Sequence, residues 1–390
     1  MISKAQTEAM LGRSFSLRVY WAVGILIGLA AVLIVRAVWL QALDVDFLTR
    51  QADVRHLRVA KIPAHRGVIT DRNGEPLAVS TPVDSIWINP REIVRTADRI
   101  PQLAAALGMD ADALAQRLTR NIDREFMYLK RHLRPVDAAA IAALDIPGVD
   151  VEREYRRYYP AGEVAGHLIG FTDIDDAGQE GIELAFDQWL AGKPGKRRVL
   201  KDRLGRIVED VERIQSPSPG RELATSIDLR IQYLAYRELK SAIKRSGSAS
   251  GSIVVLDITT GEVLAMVNQP SFNPNDRAQF AAAKYRNRAI TDIFEPGSSL
   301  KTLVIAAALE SGRYDAASRV DTSPGRVKVG SKIIEDERNL GTINLETVLA
   351  RSSNVGATKI AMSLPPETLY GVLSGFGLGR LSGSGFPGES

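Results

Sequence analysis

The chain has 390 residues, 45% hydrophobic and 25% charged, which is enough for two or three domains with cores of their own and excludes a disordered or collagen-like chain. It has no cysteine and four histidines, His56, His65, His132 and His167, so disulfide scaffolds, thiolate zinc sites, iron–sulfur ligation and a cysteine nucleophile are excluded too. Its 50 basic and 46 acidic groups are mixed along the chain and leave a net charge of +4, without the basic block that grips nucleic acid.

No charge falls between Arg18 and Arg36, and the apolar run resumes through Ala37-Val38-Trp39-Leu40. Val19 to Leu40 would make about 33 Å of helix at roughly 1.5 Å per residue, enough for a hydrocarbon core of about 30 Å. Tyr20, Trp21 and Trp39 stand at its ends, where amphipathic rings favour the interface, and Arg36 can snorkel outward. A cleaved signal peptide would have a shorter apolar core, so the expectation is an uncleaved single-pass anchor over 19–40. Lys4, Arg13 and Arg18 before it are balanced by Arg50, Arg55 and Arg58 after it. The expected orientation is a short cytoplasmic tail, 1–18, with the bulk of the chain on the far side.

Beyond the span, Gly67-Val68-Ile69-Thr70 and Leu77-Ala78-Val79 flank Asn73-Gly74, a hairpin signal. Ile100 to Ile146 has helical periodicity in Leu103, Leu107, Leu114 and Leu118, broken by Pro135 and Pro147. Short strands and turns are expected over 149–211, and Ser216-Pro217-Ser218-Pro219-Gly220 reads as a domain boundary. A helix is expected over 229–244. After it, Ser252 to Asp257 and Val263 to Val267 read as a hairpin of buried strands. Two more helices are expected over 298–309 and 345–362.

Within that second half, Ser298-Ser299-Leu300-Lys301 is a Ser-x-x-Lys at the start of an apolar helix. The i, i+3 spacing puts hydroxyl and amine on one helical face, and a helix N-terminus stabilises developing negative charge. A desolvated lysine can lose its proton and serve as base for the serine. Ser241 and Lys244 repeat the spacing at the end of a solvated helix without the Pro-Gly turn, and Ser241 reads as surface. Ser352-Ser353-Asn354 adds a second hydroxyl and an amide, a proton relay and a substrate ligand for acyl transfer. Ser271-Phe272-Asn273 has the same pattern ahead of a proline and reads as a turn. Asp173 to Glu183 faintly suggests a calcium loop, but Ala177 cannot ligate through its side chain. His167 reads as packed structure, and Arg66 and Asp71 as an ion pair or turn anchor. No zincin, nucleophile-elbow or nucleotide-loop pattern occurs.

Taken with Arg66 to Gly74, Tyr159-Pro160-Ala161-Gly162, His167 to Thr172, Gly181-Ile182-Glu183, Asp228 with Gln232, and Asn287-Arg288-Ala289 before Glu295-Pro296-Gly297-Ser298, these motifs resemble the class B penicillin-binding proteins. Ser85 to Pro90 and the Glu295-Pro296-Gly297-Ser298 turn resemble the septal, division-specific branch of peptidoglycan D,D-transpeptidases, the penicillin-binding protein 3 type. No glycosyltransferase-like region resembling that of bifunctional class A enzymes is seen.

The resemblance implies an α+β multidomain chain: a transmembrane helix, an elongated α+β pedestal or dimerisation domain over 41–215, and over 221–390 part of an α/β transpeptidase domain of the serine β-lactamase-like kind. It implies Ser298 as acylated nucleophile, Lys301 as its base, Ser352 as proton relay and Asn354 as substrate ligand, with no metal or cofactor. Implied partners are peptidoglycan stem peptides of lipid II-derived strands, β-lactams, the membrane, and divisome membrane proteins including the septal glycosyltransferase. The implied location is the bacterial inner membrane with most of the chain in the periplasm. The family's third motif, Lys-Thr/Ser-Gly, does not occur here, and the resemblance implies a C-terminally truncated copy. The alternative is an inactive, membrane-anchored divisome interaction module.

Overall fold

The computed structural model describes residues 21–37, 39, 57–201, 207–279 and 281–389. Residues 21–37 are helical and exposed on every side. Among the described residues no helix is long and apolar enough to cross a membrane. Val19, Tyr20, Val38 and Leu40 of the expected span, the expected tail and positions 41–56 lie outside the described residues.

From residue 57 the chain forms two compact units interleaved in sequence, one from 57–66, 80–156 and 192–220, the other from 67–79, 157–191 and 221–389. In chain order the first strands are β1 (Leu57–Ile62), β2 (Ile69–Thr70), β3 (Pro76–Ile88), β4 (Met127–Leu133) and β5 (Val149–Tyr158). Then come β6 (Gly195–Lys201), β7 (Ile207–Gln215), β8 (Leu223–Ala224), β9 (Gly251–Leu256) and β10 (Val263–Gln269). Short strands β11 (Arg319–Asp321), β12 (Arg326–Val329), β13 (Lys332–Glu335) and β14 (Thr342–Asn344) complete them. The longer helices are α1 (Ile100–Leu107), α2 (Ala111–Arg120), α3 (Pro135–Ala142), α4 (Leu229–Ser246), α5 (Leu300–Glu310), α6 (Leu345–Ala350), α7 (Asn354–Ser363) and α8 (Pro366–Gly375).

In the first unit β1, β6 and β7 form an antiparallel sheet in that order, the second half of β3 pairs with β4, and β5 also pairs with β3. Helices α1 to α3 bury Leu103, Leu107, Leu114, Leu118 and Ile141 against Ile86, Ile88, Met127 and Leu129 of the strands. Gly108, at φ +67, ends α1, and the Asp110 carboxylate accepts the Ala113 N–H to start α2, the usual stop and start chemistry. The helical reading of 100–146 needs one correction. Met127 to Leu133 is a strand, with Met127 and Leu129 inward and Lys130 outward. Two-residue alternation there outweighs the helical spacing upstream.

The second unit starts from a tight turn. The Asp71 carboxylate accepts the Asn73 N–H at 2.7 Å and the Glu75 N–H at 2.9 Å, and Gly74 supplies the required φ of +87. The chain then returns so that Ile69 pairs Ala78, while β8 joins β2 in parallel. Asp71 thus anchors a turn. Asp228 caps α4, whose Ala235, Tyr236 and Leu239 pack on Ala265 and Val267 of the β9–β10 hairpin. Ile69, Leu77, Ile169, Ile227, Met266 and Phe272 share one core. Within it Arg157 and Glu183 are ion-paired at 2.6 Å, their side chains 1% and 0% exposed. His167 is buried and its Nε2 donates to the Lys284 carbonyl at 2.7 Å, a packed histidine. A third core, with Ile305, Ala308, Val348, Ile360 and Leu364, joins α5, α6 and α7 to β11 and β14. Here the expected helix over 345–362 is two helices, α6 and α7, broken at Ser352, whose φ is +52. The Ser353 hydroxyl accepts the Gly356 N–H and starts the second.

Candidate active site

Ser298 lies exposed in a single 3-10 turn, Gly297–Ser299, that leads into α5. Gly297 makes that turn at φ +60, a conformation glycine adopts without a Cβ clash. One helical turn later Lys301 is half-buried. The Ala307 and Ala308 positions downstream are fully buried, so α5 is held by its apolar face while its N-terminal turn stays open.

The break between α6 and α7 brings the Ser-x-Asn segment to the same place. Lys301 Nζ donates to the Ser352 carbonyl at 2.5 Å, to Ser352 Oγ at 3.0 Å and to Asn354 Oδ1 at 2.6 Å. Ser352 Oγ in turn donates to Ser298 Oγ at 2.8 Å. The contacts therefore run from lysine through the second serine to the first. All four residues singled out in the sequence meet at one cleft. Ser241 is elsewhere, in the last turns of α4, where its hydroxyl accepts from Arg245. Asn273 closes a turn by accepting the Asn275 N–H.

Burial lowers the Lys301 amine below its ordinary value, and the nearby Asp336 charge raises it in part. A lysine so placed reaches its neutral, basic form at lower pH than a solvated one. A positive φ at Ser352 costs a non-glycine residue about 1–3 kcal/mol. The left-handed turn sets the serine's hydroxyl and carbonyl beside Lys301.

Two residues that the sequence did not point to hold this arrangement. The Asp336 carboxylate accepts the buried Ser353 hydroxyl at 2.6 Å and the Val355 N–H at 3.0 Å, so an acid just past β13 caps α7. The Asn354 side-chain amide donates to the Glu335 carbonyl at 3.0 Å. Asp336, Glu337, Arg338 and Arg351 line the cleft of about 330 Å³ with Ser298, Ser352 and Asn354. Nothing in the spacing of Asp336 relates it to Ser353; the two meet through the loop that follows β13.

Residues 61–225 match the family described as Penicillin-binding Protein dimerisation domain, and residues 251–390 match Penicillin binding protein transpeptidase domain. The chain belongs to the penicillin-binding proteins. Similarity extends across most of this penicillin-binding protein. It is 44% identical over 355 residues to a protein named probable peptidoglycan D,D-transpeptidase PbpC of Pseudomonas aeruginosa, covering 91% of this chain and 63% of that one. It is 44% identical over 364 residues to peptidoglycan D,D-transpeptidase FtsI of Escherichia coli, covering 92% and 61%. The chain thus spans about three fifths of the curated relatives it matches. A crystal structure of a peptidoglycan synthetase from Bifidobacterium adolescentis is similar with TM-score 0.61 and 26% identity, over 86% of this chain and 66% of that one. A complex between penicillin-binding protein PBP2 and MreC from Helicobacter pylori, at TM-score 0.67 and 22% identity over 86% and 68%, shares the fold. The architecture is therefore the two-domain penicillin-binding protein fold with mixed α and β content, as the motifs imply.

Proposed function

We propose that this chain is the catalytic-serine-bearing part of a septal peptidoglycan D,D-transpeptidase, acting through an acyl-enzyme on Ser298. The observation that carries the reading is the hydrogen-bonded path from Lys301 through Ser352 to Ser298 at the head of α5. With Lys301 neutral, the Ser298 hydroxyl proton passes to its nitrogen, directly or by way of Ser352. The freed oxygen bonds to the carbonyl carbon of a D-Ala-D-Ala amide. The carbon–nitrogen bond then breaks, and Ser352 hands a proton to the leaving amine, releasing D-alanine. An amine of a second stem peptide attacks the resulting ester and restores the Ser298 hydroxyl. Asn354, fixed by Lys301 and Glu335, is placed to hold the substrate backbone, and the Ser298 N–H at the helix start supplies part of an oxyanion hole.

The chain divides functionally into a non-catalytic pedestal, 41–215, and part of a transpeptidase domain, 221–390, behind a single-pass anchor over 19–40. Support for the anchor comes from 21–37, a helix with apolar side chains on all sides and Trp21 and Leu33 each 69% exposed, a surface that suits lipid better than water. The bulk of the chain then lies in the periplasm at the inner membrane, with divisome membrane proteins, among them the septal glycosyltransferase, as partners. The names of the P. aeruginosa and E. coli relatives support the reaction, and a complex of a related fold with MreC supports protein partners.

Labelling the purified chain with a fluorescent penicillin, followed by peptide mapping, tests the reading. A stoichiometric adduct on Ser298, lost in Ser298→Ala, is expected; no adduct from folded protein overturns it. That second outcome leaves an anchored interaction module without chemistry.

A further inference from the structure

The cleft at Ser298 holds charged side chains that the chemistry of Lys301, Ser352 and Asn354 does not use. Glu337, Arg338 and Arg351 stand in its wall, and of the residues that line it Leu340 alone is apolar. All three charged residues are exposed. Among the described residues none of the three has an ion-pair or side-chain hydrogen-bond partner. Other charged groups in this part of the unit are engaged: Arg288 with Asp292, Arg313 with the Ser363 carbonyl and Lys359 with the Asp321 carbonyl. Both signs of charge are thus present in one small cleft, and neither is closed off by contact with the other.

The segment that carries Glu337 and Arg338 is held at both ends. Before it, Asp336 donates its N–H to the Gly325 carbonyl at 3.0 Å while its carboxylate caps α7. After it, the Asn339 side chain accepts the Gly341 N–H at 2.9 Å. Arg351 ends α6 immediately before Ser352. The Glu335 carbonyl ties the same segment to Asn354, the residue placed to hold the substrate backbone. A ligand group that meets a carboxylate and guanidinium groups together is matched best when it bears an ammonium and a carboxylate of its own. A purely anionic group would also face Glu337, and a purely cationic one the two arginines, and such like-charge contacts select against a ligand. An apolar group would desolvate all three charges without pairing any of them.

We propose that Glu337, Arg338 and Arg351 set the donor specificity of the cleft, selecting a stem peptide whose residue before D-Ala-D-Ala has a side chain bearing both an ammonium and a carboxylate. The inference rests on the transpeptidase reading of Ser298 and adds to it the class of side chain that the site selects. The two guanidinium groups take the carboxylate, in the planar geometry that suits them, and Glu337 takes the ammonium.

The test uses the full chain in detergent and four thioester donors, acetyl-X-D-alanyl-thiolactate. The side chain of X ends in an ammonium and a carboxylate, an ammonium alone, a carboxylate alone, or a methyl group. Ser298 Oγ bonds to the thioester carbonyl carbon, and the thiol leaves with the serine proton and is read colorimetrically. Mass spectrometry confirms the acyl-enzyme. The wild-type chain is expected to be acylated at least about fivefold faster by the doubly charged donor than by the other three, the scale of one charge-assisted hydrogen bond. Arg338→Gln and Arg351→Gln are expected to reduce its advantage over the ammonium-only donor, and Glu337→Gln its advantage over the carboxylate-only donor. A merely structural role would slow all four donors together and leave those ratios unchanged. Fluorescent penicillin, which lacks such a side chain, separates this proposal from the reading beneath it. Labelling of Ser298 together with equal rates for the four donors, with no thioester acylation, or with wild-type ratios in all three variants overturns the specificity proposal alone. No penicillin adduct and no acylation by any donor overturns both.

Discussion

The Asp336 carboxylate and the Ser353 hydroxyl meet at 2.6 Å, and the same carboxylate takes the Val355 N–H. Ser353 is buried, with 1% of its surface exposed, so its donor has no ready alternative. Replacing Asp336 by alanine is expected to cost about 1–3 kcal/mol, the usual loss when buried donors lose their acceptor. Urea or thermal unfolding of Asp336→Ala measures it. A variant as stable as the parent would show that Asp336 does not hold α7.

Ser352 is both the relay of the proposed reaction and a residue in a left-handed conformation. Its φ of +52 is unfavourable for any residue with a Cβ and free for glycine. Ser352→Gly is expected to be more stable than Ser352→Ala by about 1 kcal/mol, while both lose penicillin acylation by about 10²-fold or more through loss of the relay hydroxyl. Equal stability of the two variants would remove the strain argument, and unchanged acylation in either would remove the relay.

The pH dependence follows from Lys301. Burial lowers its amine, with Asp336 opposing. Between that lowered value and the unfolded value of about 10.4, the folded state binds fewer protons than the unfolded one. This group's contribution to stability therefore rises with pH across that window. The acylation rate is expected to rise with pH as well, with a midpoint below 10.4, and Asp336→Asn is expected to move the midpoint lower still. Stopped-flow acylation at graded pH checks both; a midpoint that moves up in Asp336→Asn contradicts the assignment.

Arg157 and Glu183 form an almost wholly buried pair. Glu183→Ala is expected to destabilise the chain by about 3–5 kcal/mol, because an arginine charge is left in the interior. The double variant Arg157→Leu with Glu183→Leu is expected to recover part of that loss. Urea unfolding of the three proteins gives the comparison, and a neutral Glu183→Ala would show that water reaches the site.

The sequence was most informative where side-chain pattern is local. The β9–β10 hairpin and α4 stand within a few residues of their expected positions, because alternation and capping act between near neighbours. Ser298, Lys301, Ser352 and Asn354 were visible as spaced motifs, and the structure brings them to one cleft. β4 was hidden inside a run whose leucines kept helical spacing just upstream. The break at Ser352 was hidden for another reason: no residue type there announces a left-handed turn, and the buried Ser353–Asp336 contact that accompanies it is formed at a distance. Asp336 is ordinary in its own neighbourhood, Glu335-Asp336-Glu337-Arg338. Its part is defined by the helix it caps.

The interleaving of the two units also sets a timetable for synthesis. Ile69, Leu77 and Ala78 bury themselves against Ile227, Met266 and Phe272, residues that leave the ribosome much later. At typical translation speeds the early strand waits on the order of ten seconds with its apolar face uncovered. During that interval it is a target for holdase chaperones, and a nascent chain arrested near Gly220 would keep that face open for as long as the arrest lasts.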